Sequence, residues 1–195
     1  MIITMVGLKG GVGKTTTAVH LSAYLQEKAP TLLIDADKNR SALVWARDEK
    51  LSFKVVSEAA SPKWVGKFDH IVIDTEARPS DEKLQDLVEG CDLLVLPTTP
   101  RSLDLDALIK TVEILDKLKA NFKILLTMVD PRSTSIREAK KSLQEVKLPL
   151  FKAEIPRLVA FERSPLKGVI VKDYPDPRSK LAWEGYKALG KEILP

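Results

Sequence analysis

Cysteine is almost missing from this chain, and that scarcity is the first constraint. Of 195 residues only Cys91 carries a thiol, so no internal disulfide can form and the chain suits a reducing compartment. Histidine occurs twice, as His20 and His70, and both sit in runs that read as structural. No stretch of about 18 consecutive apolar residues exists, which excludes a membrane-spanning helix. No basic segment precedes the first apolar run, which predicts no secretory leader and a cytoplasmic location. Repeats, low-complexity tracts and linkers are also missing, so residues 1–195 read as one domain large enough for a full core. Aromatics are few, at 6%, and Trp45, Trp64 and Trp183 are expected in packing rather than base stacking.

Neither sign of charge dominates. The net charge is +4, with 44% apolar and 30% charged residues, an ordinary globular balance. The charge is unevenly placed, however. Residues 132–191 hold 14 of the 31 Lys/Arg but 7 of the 27 Asp/Glu, a balance of +7 that leaves −3 for the remainder. Such asymmetry predicts one surface that faces a polyanion.

What is present centres on residues 7–17. A short apolar run, 1–6, leads into Lys9-Gly10-Gly11-Val12-Gly13-Lys14-Thr15-Thr16, and a helical pattern follows with Val19, Leu21 and Leu25 on one side. A glycine loop between a strand and a helix N-terminus leaves backbone N–H groups unpaired and pointing one way, which is an anion site. Lys14 then reaches the β- and γ-phosphates of a nucleotide and the Thr15 hydroxyl binds Mg²⁺.

Downstream, apolar strands alternate with helices. Strands are predicted at 31–35, 53–56, 69–74, 93–96, 122–128 and 150–155. Helices are predicted at 41–50 (with Ser41 as N-cap), 79–90, 103–118, 134–146 and 178–189. Continuous apolar strands between helices indicate a parallel sheet covered on both faces, with ligands beyond the carboxyl ends of the strands. Asp35 and Asp37 close the second strand and Asp74 closes Ile71-Val-Ile-Asp74, so all three acids fall at that edge.

The plain P-loop pattern asks for glycine where Leu8 stands, and this box carries a second lysine, Lys9. It resembles the deviant Walker A box of the ParA/MinD family of ATPases. Leu93-Leu-Val-Leu-Pro-Thr-Thr-Pro100, the 126–132 stretch and Tyr174-x-Asp176-Pro-Arg-Ser179 extend the resemblance, which is strongest to the short ParF-like branch without an N-terminal DNA-binding extension. It implies a three-layer α/β/α P-loop NTPase with a mostly parallel twisted sheet. It also implies an ATP- and Mg²⁺-dependent ATPase that dimerises on ATP, Lys9 being free to cross to the partner's phosphate. Asp37 is assigned to the attacking water, Asp35 and Asp74 to the Mg²⁺ shell with Thr15, and Met128, Arg132 and Pro156 to the nucleotide.

The family offers two surfaces to such a dimer, the nucleoid or the membrane. The basic last third favours nonspecific DNA through Arg157, Arg163, Lys167, Lys172, Arg178, Lys180 and Lys187, while the C-terminal segment is too weakly basic for a membrane anchor. The implied cargo is a plasmid, a chromosome locus or an organelle such as a carboxysome, with a partner protein stimulating hydrolysis. A metabolic ligase or a cluster-bearing reductase on the same scaffold is the alternative class, the reductase disfavoured by the single cysteine. Two positions depart from the family: Lys38-Asn39 stands where Pro-Gln is common, and Glu76-Ala77 where Pro-Pro is common.

Overall fold

The computed structural model describes residues 1–7, 9–130 and 132–194; Leu8, Pro131 and Pro195 lie outside the described residues. Seven strands form one sheet: β1 (Ile2–Met5), β2 (Thr31–Ala36), β3 (Lys54–Ser57), β4 (His70–Thr75), β5 (Leu93–Thr98), β6 (Phe122–Val129) and β7 (Leu150–Pro156). Their order across the sheet is β3-β2-β4-β1-β5-β6-β7, and every described pairing is parallel. The central strands are buried along their whole length, β2 and β5 at every residue, which is why they read as unbroken apolar runs rather than alternating ones.

Successive residues of each strand serve opposite faces. On one face Ile3, Met5, Leu33, Leu93 and Val95 meet α1 (Lys14–Gln26), α2 (Ser41–Ala46), α6 (Val159–Arg163) and α7 (Ser179–Ile193). On the other, Val6, Leu94, Leu96, Ile124 and Leu126 meet α3 (Asp81–Glu89), α4 (Ser102–Lys117) and α5 (Thr134–Glu145). Helix α3 starts where Ser80 accepts the backbone N–H of Lys83, a side-chain cap with Asp81 and Glu82 on the favourable end of the dipole. The predicted cap of α2 is different. Ser41 is its first helical residue, and the N–H of Leu43 is taken instead by the Asp35 carboxylate at 2.9 Å.

Helix α7 is locked to α1. A Cβ built on Gly190 would stand 2.1 Å from the Tyr24 ring, so only glycine lets the two helices close. His20 lies at the centre of the same interface, fully buried, stacked 4.7 Å from Tyr186 and edge-on to Trp45 and Phe161. Its Nε2 accepts the Val171 N–H at 2.9 Å and its Nδ1 donates to the Thr16 carbonyl at 2.7 Å, which fixes the neutral ring as the folded form.

Burial holds the His20 pKa down at about 4, against the pull of the Thr16 carbonyl. The unfolded chain therefore takes up this proton first, and the stability contributed by the neutral ring is lost as pH falls from about 6.5 towards 4. Between pH 7 and 4.5 wild type should lose about 2–3 kcal/mol relative to His20→Leu. Urea melts of both proteins at the two pH values measure this, and equal losses would show that His20 does not titrate on unfolding.

Candidate functional site

The site begins at the glycines. Gly11 (φ 76°) and Gly13 (φ 91°) are left-handed, a conformation costly for any other residue. Gly13 caps α1 with no side chain covering the first helical N–H groups. The loop opens onto a cleft of about 640 Å³ lined by Gly10, Gly11, Lys14, Thr15, Asp37 and Glu76 among others. Val12 points inward and is buried, and its carbonyl and that of Thr98 share the Thr127 hydroxyl at 2.8 and 3.1 Å. The cradle is thereby pinned to the ends of β5 and β6.

Lys14 is 7% exposed, with its ammonium 3.4 Å from the Lys9 carbonyl. Burial pulls its pKa down while Asp74 and Asp37 pull it back. Asp74 is wholly buried, and neither of its oxygens completes a hydrogen bond with a described residue. Burial pushes its carboxyl up to about 7; the nearby Thr15 hydroxyl and Lys14 oppose this, and Asp35 and Asp37 add to it. A buried carboxyl whose oxygens fall short of a full hydrogen bond, with a threonine hydroxyl at its side, is a donor set that a hard divalent cation completes. Asp74 and Thr15 thus fit the predicted Mg²⁺ role.

Asp35 does something else as well. It lies beside Asp74 in register, and its two oxygens accept the N–H groups of Asp37 (3.1 Å) and Leu43 (2.9 Å). It therefore holds the loop that carries Asp37 and ties that loop to α2. Asp37 itself is half-buried on the cleft wall, one oxygen accepting the Asn39 N–H at 2.8 Å.

Within one subunit the Lys9 ammonium is ion-paired to Asp104 near the start of α4, whose carboxylate also takes the Thr99 hydroxyl. Asp104 is 6% exposed. Burial works to raise its pKa, but the hydrogen bonds from Lys9 and Thr99 outweigh this and hold it below the usual carboxylate range. Sequence alone hides the pairing, because Leu103-Asp104 reads as a simple helix entry.

Beside the glycine loop lies a second, smaller pocket of about 110 Å³, walled by Thr16, Met128, Pro156, Phe161 and Tyr186. Met128 adopts φ 52° where the β6–β7 register slips, and this irregularity turns an otherwise strand-bound side chain towards the opening. Met128 and Pro156, which the family resemblance assigns to the nucleotide, share the wall of this pocket. Arg132 is not among the pocket's lining residues; its side chain is 91% exposed and paired with Asp130 at 3.3 Å. Arg157, expected on DNA, is exposed and also borders this pocket. Phe161 and Tyr186 carry no signal in the sequence, where one follows the last clear strand and the other reads only as helix packing.

The rest of the basic set divides. Arg163, Lys167, Arg178 and Lys180 are exposed. Lys172 is paired with Glu27 at 3.0 Å and lies over the Trp183 ring, and Lys187 is paired with Glu184 at 2.6 Å.

Known proteins agree with this geometry. The CobQ/CobB/MinD/ParA nucleotide binding domain matches residues 3–171. The "Maintenance of carboxysome distribution protein A" of Gloeobacter kilaueensis is 37% identical, over 98% of this chain and 93% of its own length. The fold is shared with a plasmid partition protein of Borrelia burgdorferi bound to AMPPNP (TM-score 0.77, 19% identity, 98% and 99% of the two chains). It is shared too with an ATP complex of McdA from Cyanothece (TM-score 0.74, 18% identity, 97% and 96%). The match over residues 3–171 and the 37% identical relative show that the chain belongs to the CobQ/CobB/MinD/ParA nucleotide-binding family, and the cradle of left-handed glycines with a buried lysine agrees with it. Within that family it is an ATPase of the ParA/MinD type.

Asp74 gives this site a proton signature. At pH 6 its carboxyl is mostly protonated, and a cation held there must expel that proton. Binding of preformed Mg·ATP should release close to one proton more in wild type than in Asp74→Asn at pH 6, and close to none more at pH 8.5. Calorimetry in two buffers of different ionisation enthalpy measures it; equal release by both proteins at pH 6 would remove Asp74 from the metal site.

Proposed function

We propose that this chain is a positioning ATPase: two copies close face to face on ATP, hold DNA without regard to sequence, and let go when a partner protein stimulates hydrolysis. The observation that carries this reading is the division of labour between two lysines. Lys14 is buried and directed at the phosphates of its own subunit. Lys9 is parked on Asp104 at the margin of the cradle, where a second molecule can compete for it. A γ-phosphate carries more charge than a carboxylate and makes stronger charge-assisted hydrogen bonds. ATP in the partner draws Lys9 away from Asp104; after hydrolysis the lysine returns, and the pair loosens.

Within one subunit the loop N–H groups and Lys14 hold the triphosphate. Thr15 and Asp74 would hold Mg²⁺, which would supply neutralisation of the phosphate charge. Asp37 orients the water that attacks the γ-phosphorus, the bond to the bridging oxygen breaks, and ADP leaves with that electron pair. The cargo reading rests on likeness to the carboxysome-distribution and plasmid-partition proteins, and in a cell the ATP form would lie on the nucleoid. A membrane-surface role is disfavoured because the apolar face of α7 (Ala182, Trp183, Tyr186, Leu189, Ile193) is buried in the core.

Lys9→Ala should still bind ATP yet stay monomeric with it, while wild type dimerises. Light scattering with and without ATP tests this, and an ATP-induced dimer of the variant would refute the crossing lysine. DNA retention by the ATP form should fall steeply with salt. Alanine at Arg163 or Lys180 should lower the slope of log K against log salt by about one for each phosphate no longer neutralised. Retention that ignores salt in a filter-binding series would exclude backbone contacts.

A further inference from the structure

The two places where the sequence departs from its family touch each other. Lys38 follows Asp37 in the loop after β2, and Glu76 stands two residues after Asp74 in the loop after β4. Their side chains meet at 3.0 Å, and Lys83 at the start of α3 approaches the other Glu76 oxygen at 3.7 Å. The β2–β4 ladder ends with Asp35 opposite Asp74 and Ala36 opposite Thr75. The ion pair lies just beyond this ladder and out of its register, joining Glu76, one residue past Thr75, to Lys38, two residues past Ala36. Both residues line the nucleotide cleft, as does Asp37.

A loop outside a sheet has no ladder to fix it, so the Asp37 carboxylate depends on local contacts. Its backbone is held at one side by Asp35. On the other side the hydrogen bonds among the described residues are the turn to Asn39 and the Arg40 N–H bonded to the Asp37 carbonyl. Where Pro-Gln would stiffen the backbone covalently, Lys38-Asn39 does not. The bridge to Glu76 supplies the missing constraint from outside. Glu76 is 20% exposed and held between two lysines, whereas Lys38 is 86% exposed, so the anchor is the glutamate and the movable part is the lysine.

We propose that Lys38 and Glu76 form a positioning pair that braces the Asp37 loop against the Asp74 loop and sets the rate of ATP hydrolysis without adding to ATP affinity. Neither is a catalytic residue; both act through Asp37, so the proposal rests on the reading of Asp37 given above. A single exposed pair is weak and screened by salt, so the effect on turnover is moderate. Lys38→Met and Glu76→Gln should each lower kcat roughly two- to fivefold, with KM for ATP within about twofold of wild type.

Three further readouts separate positioning from general damage. Lys38→Arg should restore kcat. The double variant should be no slower than the slower single, the non-additivity of residues that act together. Raising salt from about 50 mM to 0.5 M should bring the wild-type to Lys38→Met ratio of kcat towards one. Full turnover by Lys38→Met, additive losses in the double variant, or a ratio that ignores salt would each overturn the brace. Asp37→Ala is the control. If it hydrolyses ATP like wild type, the underlying reading of Asp37 fails; if it binds ATP without turnover while Lys38→Met is fully active, the brace alone fails.

Discussion

One buried carboxyl facing one buried amine organises this molecule. Asp74 and Lys14 are both withdrawn from water at the carboxyl edge of the sheet, and the two are coupled electrostatically but not hydrogen-bonded to each other among the described contacts. Each carries a desolvation cost that the protein alone does not recover. A phosphate for the lysine and a cation for the carboxyl relieve both at once, so the cradle is held ready for a charged ligand of mixed sign. The surrounding threonines serve that readiness. Thr127 ties the loop to neighbouring strands, and Thr75 bonds the Met5 carbonyl at 2.6 Å at the start of the loop.

Much of this is legible in the sequence, for physical reasons that differ by element. The strands are plain because full burial on two faces demands uninterrupted apolar side chains, as in 93–96 and 31–35. The cradle is plain because only glycine tolerates φ of 76° and 91°. The helix predicted at 41–50 starts at Ser41 as expected but ends at Ala46, where the chain closes in a turn that carries Glu49 to a left-handed φ of 54°. The segment between β7 and α7 is unreadable for another reason. Residues 159–173 form short turns whose order comes from packing on α1 and α2 rather than from any period in their own sequence.

The candidate site is legible where chemistry is tied to one position, and obscure where it depends on pairs. Lys14, Thr15 and Asp74 follow from a loop and a strand end. Lys9 with Asp104, and Lys38 with Glu76, lie 95 and 38 positions apart, and spacing alone joins neither. Arg132 matches the family stretch by residue type, and its pairing with Asp130, two residues before it, is a local contact that the residue types alone do not announce. Tyr186 belongs to both worlds. It packs against His20 and reaches within 3.4 Å of the Thr17 hydroxyl, so a wall of the small pocket beside the glycine loop also joins α1 to α7.

The tight closure at Gly190 has a mechanical meaning. With the Tyr24 ring seated where any other side chain would be, the last helix cannot slide along the first without breaking a solid joint. Helix α1 begins at Lys14 itself. A joint that fixes α7 on α1 therefore also fixes the helix whose first residue is the buried Lys14 at the mouth of the cleft.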